Sequence, residues 1–313
     1  SSYALSAPLV ELLSCAPELL AQPEYAPLMC RVWEETVLLA PEDVLHAFGM
    51  SVYGAMAPMV GHPNSPVIME PIFAIDMHVR ALSTASLGAM ANIMRATHLD
   101  EAIFASLCRE SDMYHVLQRC AILVSRMALT MPPPMFHDMV RATASWPDLC
   151  RRLISTSATL SLARSRKLVA LGLAHMLRHA SAQDKGLLSA VPDMIGMWTE
   201  VVGEVVEDEA GSADRYEREL SPTRALEIGE DGIPFLDEFG LIEAAPTPSS
   251  ARTDAVRSRD PSFNVPLRAY VADTLNAVLQ NGSYKTQLQS LLATIDPLVL
   301  DTLQRGLSER PVA

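Results

Sequence analysis

Gly49, Met50, Ser51, Val52 and Tyr53 are the nearest this chain comes to a serine nucleophile elbow. That chemistry needs a strand, then a sharp turn with glycines on both sides of the serine. Tyr53 stands where the second glycine belongs and no strand pattern precedes it, so the match carries no hydrolase. His175 and His179, four apart, have the spacing of two metal ligands on one helix face. No third ligand is identified, and Arg178 between them would set a cation against the ion. Two imidazoles near a helix C-terminus, where positive charge suits the helix dipole, are the plainer account. GxGxxG, Walker and HExxH motifs are absent from the sequence. These residues call for no catalytic group, no cofactor and no metal.

What remains is charge. Arg151, Arg152, Arg164, Arg166 and Lys167 could line a small basic ridge. Nucleic-acid modules pair a net basic balance with aromatics for stacking, whereas this chain has a net charge of −13 and 5% aromatics. Direct nucleic-acid binding is therefore not expected, and the cations read as a solvated helix end. The acid is concentrated: residues 196–245 hold 14 acidic residues against three arginines, a net of −11, and the remainder is nearly balanced. Such a field attracts basic partners and speeds their association. The bland alternative is a solvated helix face followed by a solubilising linker. Methionines at 50–69 and 127–139 offer an adaptable binding surface or, more commonly at helical spacing, core filling.

Two helices must position these charges. The first begins with Arg164, Arg166 and Lys167 and turns apolar on nearly every side over 168–177, so it must be covered on every side. The second, from about 187 to 208, sorts at 100° per residue into two faces. Leu188, Val191, Ile195, Trp198, Val202, Val205 and Val206 take one face; Asp193, Glu200, Glu204, Glu207 and Asp208 take the other. Leu, Ala and Met abound while aromatics are few, which favours helix over sheet throughout. An all-α protein is expected.

Cys15, Cys30, Cys108, Cys120 and Cys150 form no CxxC pair and read as reduced, mostly buried thiols of an intracellular protein. The run 44–69 is uncharged and long enough to span a bilayer, but it holds Gly49, Gly54, Pro58, Gly61, Pro63, Asn64 and Pro66. A spanning helix does not normally collect such breakers, and no membrane insertion is expected. The chain opens with neither methionine nor a leader pattern, which reads as a fragment or a processed chain.

From 7 to 131, apolar helical segments alternate with prolines. The stretches 76–94 and 163–177 each set a cation before a long apolar and small-residue run. Arg80 and Arg166 are 86 residues apart, about two periods of ~43, within the HEAT and armadillo range. Two weak copies leave a helical array and coincidence equally open. Residues 1–209 read as helical, and 210–260 as an acidic, Pro/Ser-rich loop or linker in which Ile233, Phe235, Leu236, Phe239, Leu241 and Ile242 form a short docking segment. Helical order returns over 261–313, in segments at 267–279, 284–295 and 298–307, with Asn281 and Gly282 ending the first.

Three stretches, taken in order, resemble the C-terminal part of importin-β-type karyopherins, which are HEAT-repeat solenoids. RSRKLVALGLAHML at 164–177 is similar to an Ala-Leu-Gly-Leu helix of their later repeats. WTEVVGEVVEDE at 198–209 runs into an acidic loop, as in the branch containing importins nine and eleven. RDPSFNVPLRAYVADTL at 259–275 is followed by the ending LQSLLATIDPLVLDTL at 288–303. The resemblance implies a right-handed α-solenoid of HEAT-like antiparallel helix pairs, about six or seven of them at ~40 to 47 residues each. Repeats would fill 1–209, and a last repeat and cap 261–313. It also implies a non-catalytic nuclear transport receptor, monomeric, shared between cytoplasm and nucleus. Its partners would be basic protein cargo, nucleoporins, and the small GTPase Ran through a region N-terminal to these residues.

Joined to the acidic window, this makes Glu200, Glu204, Glu207, Asp208, Glu209, Glu230, Asp231, Asp237 and Glu238 the expected cargo contacts. The rival reading is a scaffold α-solenoid, or a helical subunit of a larger complex, in which the acidic loop is a spacer. An enzyme with a small-molecule site in a helical cavity ranks last.

Overall fold

A computed structural model describes residues 5–62, 67–110, 113–181, 183–184, 186–209, 252, 255–256, 259–281 and 284–308, with 205–209 described by backbone alone. Every regular element among the described residues is helical. In chain order these are α1 (Ala7–Ser14), α2 (Ala16–Leu20), α3 (Ala26–Leu39), α4 (Pro41–Gly61), α5 (Met69–Ala81), α6 (Thr84–Ala96), α7 (Leu99–Cys108) and α8 (Tyr114–Thr130). They continue as α9 (Pro133–Thr143), α10 (Trp146–Ser157), α11 (Ala163–Arg178), α12 (Val191–Glu209), α13 (Pro261–Asn264), α14 (Leu267–Gln280), α15 (Lys285–Leu292) and α16 (Pro297–Ser308). A 3₁₀ turn, Leu188–Ala190, leads into α12.

The helices pack in two rows. α3, α5, α8, α11 and α14 each lie against the next to make one row, and α4, α7, α10, α12 and α16 make the other. Contacts of α3 with α4, α7 with α8, α10 with α11, α11 with α12 and α14 with α16 join the rows over a continuous apolar core. This is an all-α solenoid, in which each unit buries the face its neighbour exposes. In the first row Ala26, Met69, Tyr114 and Ala163 open successive helices, 43, 45 and 49 residues apart. The described residues make five such pairs, with α6 and α9 as extra helices inside two of them.

The spacing of Arg80 and Arg166 matches two repeats, but the two stretches are not equivalent. Residues 76–94 straddle the break between α5 and α6 at Leu82 and Ser83, whereas 163–177 lie within α11 alone. The breakers of 44–69 also behave otherwise than expected. Gly49, Gly54 and Pro58 sit inside α4, which has the length and hydropathy of a membrane-crossing helix. Val44, Leu45, Val52, Tyr53, Met56 and Val60 are buried in the core, and that burial offsets the hydrogen bond Pro58 removes. A Cβ on Gly49 would meet Ile93 and Leu45 at 3.2 Å, so the glycine serves close packing of α4 on α6.

α11 is covered on all sides: residues 167–174 are all buried, between α8, α12 and α14. Its approach to α8 is set by Gly172, where a Cβ would lie 2.9 Å from the Ser125 Cβ and 3.0 Å from its Cα. Most of the methionines fill the core as expected, among them Met56, Met127, Met131 and Met139, while Met50 is exposed. All five cysteines are free, and Cys15 is the exposed one.

Candidate functional site

α12 divides as its periodicity requires. Val191, Met194, Ile195, Met197, Trp198, Val201 and Val202 are buried, a wider stripe than the sequence suggests. Trp198 Nε1 donates to the Ala170 carbonyl at 3.1 Å, which ties the helix to α11. Asp193 and Glu200 are exposed on the opposite face, and Glu204 is half-buried. Of the nine expected cargo contacts, the structure brings Glu200 and Glu204 together on Arg166. Arg166 Nη2 lies 3.1 Å from Glu200 Oε2, and Nη1 pairs with Glu204 Oε1. Arg166 is largely covered while the Glu200 side chain stays 66% exposed, so the ion pair faces water on the acidic side. The side chains of Glu207, Asp208 and Glu209, and all of Glu230, Asp231, Asp237 and Glu238, lie outside the described residues, as do 233–242 and Gly282.

The basic ridge does not form, nor do these cations make a solvated helix end. Arg164 sets its guanidinium over the Phe263 ring, 3.5 Å from the centroid; Lys167 is buried; Arg166 is held by the two glutamates. Arg151 stays at the surface and pairs with Asp148 at 2.8 Å.

A second ionic cluster, whose members the sequence does not join, closes the far end of the acidic stretch. Asp260, the last residue of the expected linker, is buried against α5 and α8. Arg126 donates to it through Nε at 3.0 Å and also pairs with Asp76; Arg80 bonds Asp76 at 2.8 Å and reaches Asp260 at 3.7 Å. Two arginines thus meet two aspartates, which is what lets four charges share a dry site. The other Asp260 oxygen accepts from Ser262 N at 2.9 Å and Ser262 Oγ at 2.7 Å, capping α13. Burial pushes the Asp260 carboxyl up, but Arg126, Arg80 and Ser262 outweigh it and hold the group far below the ordinary carboxylate range. Only the Asp76–Arg80 step, four apart on one helix, is a local signal. Glu209 thus ends α12 in one row, and Asp260 is held against α5 and α8 of the other.

His175 and His179 sit with ring centroids 4.4 Å apart, and His175 Nδ1 bonds the Tyr270 hydroxyl, joining α11 to α14. Burial, then His179, holds the His175 imidazole down to about 4, so it is neutral and structural. Among the described residues no three His, Cys, Asp or Glu side chains are placed to hold a metal. Ser51 lies within α4 and donates to the Phe48 carbonyl at 3.0 Å, which is helix geometry and not an elbow. Tyr53 is instead a core residue whose hydroxyl donates to His78 Nδ1 at 2.7 Å, while His78 Nε2 donates to the Pro41 carbonyl at 3.0 Å.

No curated protein and no solved structure matches the chain. A family described as importin-11-like, TPR repeats, matches residues 1–308 and so takes in the N-terminal half, whose sequence shows only a helical texture. TPR and HEAT units are both antiparallel helix pairs, and the 43- to 49-residue spacing of the first row lies nearer the longer HEAT unit. The two-row helical stack agrees with this match, and the chain belongs to the importin-11-like repeat family, an importin-like group of transport receptors.

Proposed function

We propose that this chain is a non-catalytic part of a nuclear transport receptor that shuttles between cytoplasm and nucleus and binds basic protein cargo. The acidic face of α12 and the acidic stretch after it would form the binding surface. One observation supports the reading above the others: Glu200, exposed, and Glu204, half-buried, stand together on the acidic face of α12, within the −11 window of 196–245. Glu207, Asp208 and Glu209 extend the same helix, and Glu230, Asp231, Asp237 and Glu238 belong to the same acidic window of the sequence. A potential of one sign over such a length favours encounter with cationic proteins. In this organisation 1–209 are repeats, 210–260 an acidic linker and 261–313 a last repeat and cap. Ran and nucleoporins enter as partners of the family's kind, without assigned residues here.

Arg166 favours the rival reading. It already engages Glu200 and Glu204, as a purely structural ion pair would, and leaves the stretch beyond as a spacer. Deleting 211–251 separates the two. Proteins retained from nuclear and cytosolic extracts should lose their basic members if the stretch binds cargo; an unchanged set would make it a spacer.

A further inference from the structure

The attachment of Asp260 leaves one face of the first row with more positive than negative charge. Arg80 and Arg126 already engage both aspartates of the cluster, Asp76 and Asp260. Two turns before Arg126 on α8, ~10 Å along the helix axis, half-buried Arg119 sets its guanidinium over the Phe73 ring of α5, 4.7 Å from the centroid. Among the described residues Arg119 forms no ion pair. α8 and α11 run parallel, since Gln118 Nε2 donates to the Thr159 carbonyl at 2.7 Å just ahead of α11 and Gly172 meets Ser125 further along. Arg164, eight residues before Gly172, therefore stands within a turn of the level of Arg119, its own guanidinium over Phe263 of α13. Arg259, beside Asp260, is exposed. Five arginines thus surround two aspartates. Burial lowers the Arg119 guanidinium from its ordinary value; Asp76 opposes this, but Arg80 and Arg126 push the same way as burial.

We propose that this face, across α5, α8, α13 and the start of α11, is a docking surface for an acidic segment of a partner protein, with Arg119 and Arg259 as its counter-ions. A guanidinium seated on a ring has one flat side covered and its N–H edge turned outward, the edge that takes a carboxylate through two hydrogen bonds. The rings of Phe73 and Phe263 lie against Arg119 and Arg164 and are not laid out to stack on bases. With a net charge of −13 on the whole chain, this favours protein carboxylates over a nucleic acid. Outside 196–245 the chain is nearly balanced in charge. At physiological salt charges are felt over ~8 Å, so a partner at this face meets the arginines and not the distant acid. The surface is opposite in sign to the acidic face of α12 and does not depend on the basic-partner reading.

The test uses the 313-residue chain and a fluorescent oligoglutamate peptide, followed by anisotropy at low and at physiological salt. Arg119→Gln should weaken binding about tenfold, the scale of a close charge pair at an interface. Arg259→Gln should weaken it about threefold, as an exposed pair does. Arg119→Lys, which keeps the charge and loses the fork, should fall between the wild type and Arg119→Gln. Arg151→Gln, at an exposed arginine of α10 paired with Asp148, should change nothing. Arg259→Gln should also keep the wild-type melting temperature, which separates lost binding from lost fold. The chain whose acids in 196–245 are replaced by Ser and Asn should bind this peptide at least as tightly as the wild type, whereas the basic-partner reading has it lose basic proteins. No measurable binding by the wild type, unchanged affinity in both Arg119→Gln and Arg259→Gln, or an equal loss in Arg151→Gln overturns the surface. Loss of the peptide on neutralising 196–245 also overturns it. Tighter binding of a single-stranded oligonucleotide, weakened by Arg119→Gln, would give the face to nucleic acid and overturn the acidic-protein partner.

Discussion

Arg126 Nε lies 3.0 Å from Asp260 Oδ2, across 134 residues of sequence, with the two side chains 1% and 0% exposed. The pair fixes the point where the chain, after its acidic stretch, rejoins the first row of helices. Through Asp76 and Arg80 the same cluster also bolts α5 to α8.

Asp260→Ala should therefore cost about 3 to 5 kcal/mol, because it leaves two buried arginines facing a single aspartate. Asp260→Asn keeps the cap on Ser262 and should cost less. Urea unfolding followed by circular dichroism measures both. A loss below about 0.5 kcal/mol for the alanine variant, the usual size at an unremarkable surface position, would mean that the cluster anchors nothing.

Gly172→Ala should destabilise by about 1 to 3 kcal/mol, the usual cost of overpacking, because its new methyl meets the Ser125 Cβ, Cα and carbonyl together. Ser125→Gly should recover part of that loss in the double variant. Additive effects in the thermal melts would mean that α8 and α11 separate more easily than their packing implies.

How much of this was legible depended on whether the signal was local. Leu168 to Leu177 being apolar on all sides foretold the burial of α11, and the periodicity after Leu187 separated Trp198 from Glu200. Pro58 misled, because a helix-breaking preference of a few kcal/mol yields to the burial of a whole helix face. Arg164 and Lys167 read as part of a solvated helix end because nothing nearby in sequence announces that Phe263 lies under one and the core around the other. Arg126 and Asp260, 134 residues apart, could be joined only by the fold. The burial of Glu34 was equally hidden, since its spacing to Arg31 and Glu35 is that of an ordinary solvated turn.

Acid should loosen the N-terminal repeats through His78. Burial holds its imidazole down to about 4, against an ordinary 6.5. Below 6.5 the unfolded chain takes up a proton that the folded chain refuses, so stability present at neutral pH is lost as pH falls towards 4. The full effect is on the order of 3 kcal/mol. His175 on α11 acts in the same direction. Urea midpoints at pH 7.5 and 5 should differ accordingly, and His78→Gln should flatten the dependence; an equal slope in that variant would exonerate His78.

Glu34 should act with the opposite sign. Between the ordinary 4.5 and about 7, the folded chain keeps a proton that the unfolded chain has released, so stability declines as pH rises through that window. Glu34→Gln should be more stable than the wild type at pH 8 by a few kcal/mol at most, and nearly equal to it at pH 4.5. Carboxyl chemical shifts of Glu34 give a second reading. Titration at its ordinary value would refute the burial of this carboxyl.

The claim that the acidic face and stretch recruit basic proteins is tested most directly by association rates. The wild-type chain, and one whose acids in 196–245 are replaced by Ser and Asn, would be measured by stopped flow against folded proteins of increasing positive charge. The wild type should associate faster as partner charge rises and slow steeply with salt. The neutralised chain should lose about tenfold or more in association rate at low salt, with dissociation little changed. Equal association rates and equal affinity at low salt would contradict the account and leave 196–245 as a helix face and a spacer.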